Sequence, residues 1–298
     1  MHTLDDLRSG KLKGATRLAL SAGLTEFPTE IYELADTLEI LDLSGNDLTS
    51  LPDDLVRLKS LRVLFASNNQ FETMPPVLGR CANLRMLGFR ANGMRVLPPE
   101  SLPPKLRWLI LTDNKLETLP AELGRRVDLQ KLMLAGNRLS SLPAEMAGCS
   151  KLELLRIAAN RFEALPEWLL SLPRLSWLSY SGNPFCESLE AKALADTPVP
   201  AIPWTALQLG PKLGEGASGV IYRSSLSADA AAIFGTMESE VAVKLFKGTL
   251  TSDGLPQSEM AACISAGVHP NLIRVLGKLT GHPQGTEGLV MSLVDPAY

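Results

Sequence analysis

The sequence predicts two regions of different class: an α/β solenoid with one short parallel strand per turn over residues 1–186, and a smaller α+β region over 202–298. Three observations predict this. A leucine-rich unit restarts at Leu38, Leu61, Leu84, Leu106, Leu129, Leu152 and Leu175, at spacings of 22 or 23 residues. One asparagine keeps a fixed phase in every unit, at 46, 69, 92, 114, 137, 160 and 183. A glycine-rich stretch, Leu213-Gly-Glu-Gly-Ala-Ser-Gly-Val-Ile-Tyr222, then precedes Val241-Ala-Val-Lys244.

Thr3-Leu-Asp-Asp6 has the pattern of a helix start and predicts an amino-terminal cap. A shortened first unit follows at Leu18-Ala-Leu20 without the asparagine. In each full unit two leucines alternate with outward residues, as period-2 strand geometry requires. The asparagine amides are expected to bond backbone groups in the turn after each strand, because buried polar backbone must be paired. Prolines at 52, 75, 98, 120, 143 and 166 mark where the chain leaves each strand for its convex return, with Leu55, Leu78, Leu123 and Met146 filling that side. This unit resembles the leucine-rich repeat family, which Asn183-Pro184-Phe185-Cys186 would close. The resemblance implies a domain over 1–186 with a parallel concave sheet.

At 298 residues the chain is long enough for two cored domains. A net charge of −3 provides no basic footprint, so neither nucleic acid nor an anionic membrane is an expected partner. The amino terminus lacks a secretory pattern and no apolar run reaches bilayer length, which predicts a cytoplasmic protein. Cys81 and Cys149 share one repeat phase and sit too far apart to bridge; together with Cys186 and Cys263 they are expected to be free thiols, and no metal-ligand spacing occurs.

The outward strand positions hold the recognition information of the array. They carry Ile40, Val63, Phe65, Met86, Trp108, Ile110, Met133, Leu154 and Trp177, with Asp42, Arg90, Lys131 and Arg156 beside them. Apolar residues running along an exposed sheet point to a protein partner, with Trp108 and Trp177 as anchors and Phe65, Met86, Ile110, Lys131, Met133 and Arg156 around them. The competing explanation is mutual packing across neighbouring strands.

Between 187 and 201 the repeat stops and proline accumulates, predicting a linker with a short helix over Ser188–Asp196. In the second region a helix does not follow the glycines, which argues against a dinucleotide fold, and no Gly-Lys-Ser/Thr follows them, which argues against a Walker loop. A strand continues instead, and Lys244 arrives 25 residues after Gly219.

That arrangement resembles the protein kinase amino-terminal lobe over 202–298, giving the whole chain the class of an α/β leucine-rich repeat solenoid followed by an α+β lobe. The resemblance implies an ATP site. Gly214, Glu215, Gly216, Ala217, Ser218 and Gly219 would close over the phosphates, Leu213 and Val220 would sandwich the adenine, and Ala242 would floor its pocket. Lys244 would contact the α- and β-phosphates, with Glu259 on a helix near Gln257–Ala266 as its ion-pair partner. Met291 would be the gatekeeper, and the backbone of Ser292 and Val294 would meet the adenine. It also implies an ATP-dependent Ser/Thr kinase as the parent protein. The family's catalytic loop and metal motif would follow the hinge, so residues 1–298 are expected to be inactive alone, with Mg2+ needed only by the full kinase. The alternative is a non-catalytic repeat interaction protein or pseudokinase-like scaffold.

Overall fold

One strand per repeat builds a parallel sheet of eight, in chain order: β1 (Arg17–Ala19), β2 (Ile40–Asp42), β3 (Val63–Phe65), β4 (Met86–Gly88), β5 (Trp108–Ile110), β6 (Lys131–Met133), β7 (Leu154–Arg156) and β8 (Trp177–Ser179). The computed structural model describes residues 2–196, 198–216, 218–227, 239–248, 250 and 254–294, and the chain divides into two units, Met1–Pro184 and Phe185–Tyr298.

Register in the first unit follows the repeat. The middle residue of each strand from Leu18 to Leu155 is a fully buried leucine, paired in line with its counterparts. Each such side chain is stabilised by about 2 kcal/mol through burial. The asparagines connect successive turns. Asn137 Nδ2 donates to the carbonyls of Leu111 and Leu134, both at 2.9 Å, while its Oδ1 accepts from the Leu116 N–H at 3.0 Å. The same pattern recurs at Asn46, Asn69, Asn92, Asn114, Asn160 and Asn183, all buried.

Prolines 52, 75, 98, 120, 143 and 166 each precede a 3-10 turn on the convex side, joined by Pro28 in the first unit. Leu55, Leu78, Leu123 and Met146 are buried in those turns. Adjacent turns approach so closely that a Cβ at Gly124 would run into the Glu145 carbonyl. The residue before each ladder asparagine is left-handed, with glycine at 45, 136 and 182 but Asn68, Ala91, Asp113 and Ala159 elsewhere. Alanine in that region costs about 1 kcal/mol. At the amino end, α1 (Leu4–Arg8) is closed by a capping box between Thr3 and Asp6 and buries Leu7.

The second unit contains a six-stranded sheet in the order β10-β11-β12-β14-β13-β9, made of β9 (Ala201–Pro203), β10 (Leu207–Glu215), β11 (Gly219–Leu226), β12 (Glu240–Phe246), β13 (Val275–Thr280) and β14 (Gly288–Ser292). All its pairings are antiparallel except β13 with β9. Ile202, Val241, Val243, Leu276 and Val290 form the core of one face, with Trp204 packed on it. On the other, α3 (Pro256–Ser265) packs Met260 and Ile264 against Ala242, Phe246, Leu289 and Met291.

The segment expected to be a linker is built into this unit. α2 runs Pro184–Asp196, and Ser258 Oγ in α3 donates to Glu190 at 3.0 Å. Val199 packs against the α3-side core, and the Lys278 N–H donates to the Pro200 carbonyl at 2.9 Å. Proline-rich sequence suggested an open spacer, yet an edge strand tolerates proline because its outer N–H needs no partner.

Candidate functional site

Strand register sorts the outward residues of the array into two rows. One runs Ile40, Val63, Met86, Trp108, Lys131, Leu154 and Trp177; the other runs Asp42, Phe65, Gly88, Ile110, Met133, Arg156 and Ser179. All eight residues expected to meet a partner therefore lie on one sheet face. They also touch one another. The Lys131 ammonium sits 4.0 Å from the centre of the Trp108 ring, and the Arg156 guanidinium lies 5.7 Å from that of Trp177. The Phe65 ring leans across Gly88, where a Cβ would come within 2.6 Å of its Cδ1. Phe65, Met86, Trp108, Ile110 and Met133 are half-buried, whereas Trp177 is 52 % exposed. Cross-strand packing thus accounts for part of this row's burial and leaves Trp177 uncovered.

The second candidate lies at the β10–β11 hairpin. The Gly216 N–H donates to the Gly219 carbonyl at 2.9 Å, closing the tip; Ala217, expected to contribute there, falls outside the described residues. Beneath it Lys244, on β12 opposite Ile221 and Leu289, forms an ion pair with Glu259 of α3 and donates to Ser218 Oγ at 2.9 Å. The Lys244 ammonium also stands 5.1 Å from the Phe246 ring centre. Sequence spacing placed the lysine and glutamate 15 residues apart, and the fold brings them into contact.

Glycines 214 and 216 have open space where a Cβ would be, while one at Gly219 would lie 2.5 Å from the Leu245 carbonyl oxygen. Gly219 is therefore required by strand packing, whereas Gly214 and Gly216 are not crowded by any neighbour. Between them Glu215 pairs with both Lys212 and Lys247, which hold its carboxyl down at about 2. Val220 is half-buried opposite Leu245, and Ala242 and Met291 are paired, buried neighbours. Leu213 and Val294 are both about half exposed.

Ser292, expected to offer its backbone to an adenine, donates its N–H to the Arg274 carbonyl at 2.9 Å, so a backbone contact there would be made through its carbonyl. That bond extends the β13–β14 pairing past Val275–Met291 and only the strand register reveals it.

Cys81 and Cys149 are buried free thiols pushed up to about 11 by burial, and Cys186 and Cys263 are also free. Among the described residues no helix is long and apolar enough to cross a membrane, and no three His, Cys, Asp or Glu side chains group as metal ligands.

Residues 36–94 and 127–185 match the sequence model of the leucine-rich repeat family. The first unit is a leucine-rich repeat array. No curated protein sequence matches the chain. Similar solved structures include a leucine-rich repeat protein of Leptospira interrogans, 32 % identical over 58 % of this chain and 50 % of that one, with a TM-score of 0.48. The plant peptide hormone receptor RGFR1 in complex with RGF2 is 26 % identical over 63 % of this chain and 40 % of its own, at 0.47. TLR13 in complex with ssRNA13 is 20 % identical over 61 % of this chain and 27 % of its own, at 0.52, a likeness of fold alone. The chain spans half or less of the length of each.

Proposed function

We propose that the leucine-rich repeat array is a protein-recognition module whose concave face captures its partner. The observation that carries this is the continuous pair of outward rows across β3–β8, with Trp108 and Trp177 in one register line and Trp177 half exposed. An exposed aromatic beside half-buried apolar neighbours is the surface composition of a binding hot spot. RGFR1 and TLR13 were each solved with a ligand, a peptide hormone and an RNA. The test is capture from cell lysate by the intact chain and by a Trp108→Ser, Trp177→Ser variant whose thermal unfolding matches the parent. The variant is expected to lose the captured protein; equal capture by both would overturn the reading.

A second reading is favoured by one cluster, Lys244 with Glu259 and Ser218 under the glycine hairpin. In it, the second unit binds ATP in the manner of a protein kinase amino-terminal lobe. The residues are chemically suited: Gly214 and Gly216 leave space that a Cβ would fill, and Lys244 supplies a cation that Glu259 orients. Bound ATP would bring the transferable phosphoryl group. This chain's part would be to hold the α- and β-phosphates at Lys244 and to take the adenine between Leu213, Val220 and Ala242. Phosphoryl transfer by the parent protein, to serine or threonine, remains within this second reading, as does a cytoplasmic location within the first. Calorimetric titration with Mg-ATP should show binding that Lys244→Ala abolishes; absence of heat from the parent chain would overturn it.

A further inference from the structure

A cavity of about 350 Å3 opens under the amino-terminal cap of the array, lined by Leu7, Gly10, Leu12, Lys13, Glu33 and Leu34. Two segments form it. α1 presents Leu7, and the turn after it bends back through Gly10 and Gly14, left-handed at φ 74° and 80°, with the Lys13 N–H donating to the Gly10 carbonyl at 3.1 Å. Glycine adopts that conformation without a Cβ penalty. The other segment is the 3-10 turn Thr29–Leu34, fastened to α1 by an Arg8–Glu30 ion pair at 2.7 Å.

The cavity has an apolar floor and a charged rim. Leu7 and Leu34 are buried and Leu12 is half-buried, whereas Lys13 and Glu33 are exposed. Neighbouring charges of the cap are matched, Arg8 by Glu30 and Lys11 by Asp6. Lys13 and Glu33 take part in no ion pair or side-chain hydrogen bond among the described residues, although both line the same cavity. Opposite charges left unpaired around an apolar hollow complement a ligand that carries both charges on an aliphatic body. Small-molecule sites span about 300–1,000 Å3, and this cavity falls at the small end of that range. We propose that it binds a free aliphatic α-amino acid of the leucine class, its side chain among Leu7, Leu12 and Leu34, its carboxylate at Lys13 and its ammonium at Glu33. The zwitterion holds both charges at the root of the aliphatic chain, so one end fills the floor while the other meets both rim residues. A fatty acid would offer only the anion and an aliphatic amine only the cation, each leaving one rim residue unmatched. The site lies in the array and depends on neither functional reading above.

The test is methyl-resolved NMR of the intact chain titrated with L-leucine. Saturable shifts should appear at Leu7, Leu12 and Leu34, and glycine, which lacks the aliphatic chain, should produce none. Blocking one charge of the ligand should weaken binding about threefold, the scale of a solvent-exposed pair. Leucinamide lacks the carboxylate, and N-acetyl-leucine lacks the ammonium. Lys13→Gln should remove only the preference for leucine over leucinamide, and Glu33→Gln only that over N-acetyl-leucine. Both positions are exposed, so the substitutions leave the fold intact. Absence of a saturable shift at these leucines would overturn the site. Leucinamide or N-acetyl-leucine binding as tightly as leucine would overturn the free amino acid in favour of the first or the last residue of a peptide, respectively. Leucine binding whose ligand preferences survive both substitutions would overturn the roles given to Lys13 and Glu33.

Discussion

The two units reach their folds by different routes. In the array, every strand repeats the solution of its neighbour: an inward leucine row, an asparagine spanning two turns, a proline opening the convex return. Stability in such a solenoid is spread over nearest-neighbour contacts, so a lesion is felt by the turns on either side. In the second unit nothing repeats, and its most distinctive feature is a single buried-edge ion pair joining β12 to α3. The difference teaches that the array's surface can change residue by residue while its core stays periodic, whereas the second unit's Lys244 and Glu259 depend on one helix being in one place.

Five substitutions sharpen that contrast. The largest effect is expected for Asn137→Ala, which strands the Leu116 N–H and removes one of the two amide donors from each of the Leu111 and Leu134 carbonyls, which keep Asn114 and Asn160. About 3 kcal/mol should be lost. In calorimetry the array transition should fall while that of the second unit stays in place; a shift of both would deny their independence.

Next comes Gly219→Ala, whose Cβ would meet the Leu245 carbonyl oxygen at 2.5 Å. A loss of about 1–3 kcal/mol is expected, confined to the second unit. Gly214→Ala, with open space around its Cβ position, should change stability by less than about 0.5 kcal/mol. Equal destabilisation by the two would show that Gly219 is no more tightly packed than Gly214.

A smaller change of opposite sign is expected at Ala91, left-handed with φ 53° where other turns place glycine. Ala91→Gly should stabilise the array by about 0.5–1 kcal/mol in a denaturant titration, the relief of strain outweighing the added freedom of the unfolded chain. Any loss of stability would contradict the strain argument.

The smallest effect concerns pH. Lys212 and then Lys247 hold the Glu215 carboxyl at about 2, below an ordinary 4.5. A depressed carboxylate contributes stability above its unfolded value, and that contribution is lost as pH falls from about 4.5 towards 2. The Glu215→Gln variant should show a flatter acid limb for the second unit in that window and no change near neutrality beyond the missing pairs. High salt should shrink the difference, because all three groups are exposed.

Most of the array could be read from spacing because repetition exposes each structural need seven times over. Asparagine, proline and leucine phases each appeared before any coordinate. What spacing could not reveal was tertiary. The convex glycine at 124 is required by the neighbouring turn's Glu145, which no local pattern encodes. The left-handed position carried a partial signal, glycine at 45, 136 and 182, obscured by alanine at 91 and 159. The short strand at Ala201–Pro203 was hidden by its prolines, since its pairing with β13 is set by the sheet's far edge. Lys244 and Glu259 were found from their motif setting, while the engagement of Ser292 with Arg274 depended on strand register. The half-burial of Trp108 beneath Lys131 likewise followed only once the strands were in line.

The most direct test of concave-face recognition is hydroxyl-radical footprinting of the intact chain in clarified cell lysate and in buffer, read residue by residue by mass spectrometry. Trp177 and Met133 should be protected in lysate relative to buffer, while Leu170, 78 % exposed on the convex turn, should be oxidised equally in both. Protection of Leu170 with Trp177 and Met133 unchanged would contradict the account and move the partner surface to the other side of the solenoid.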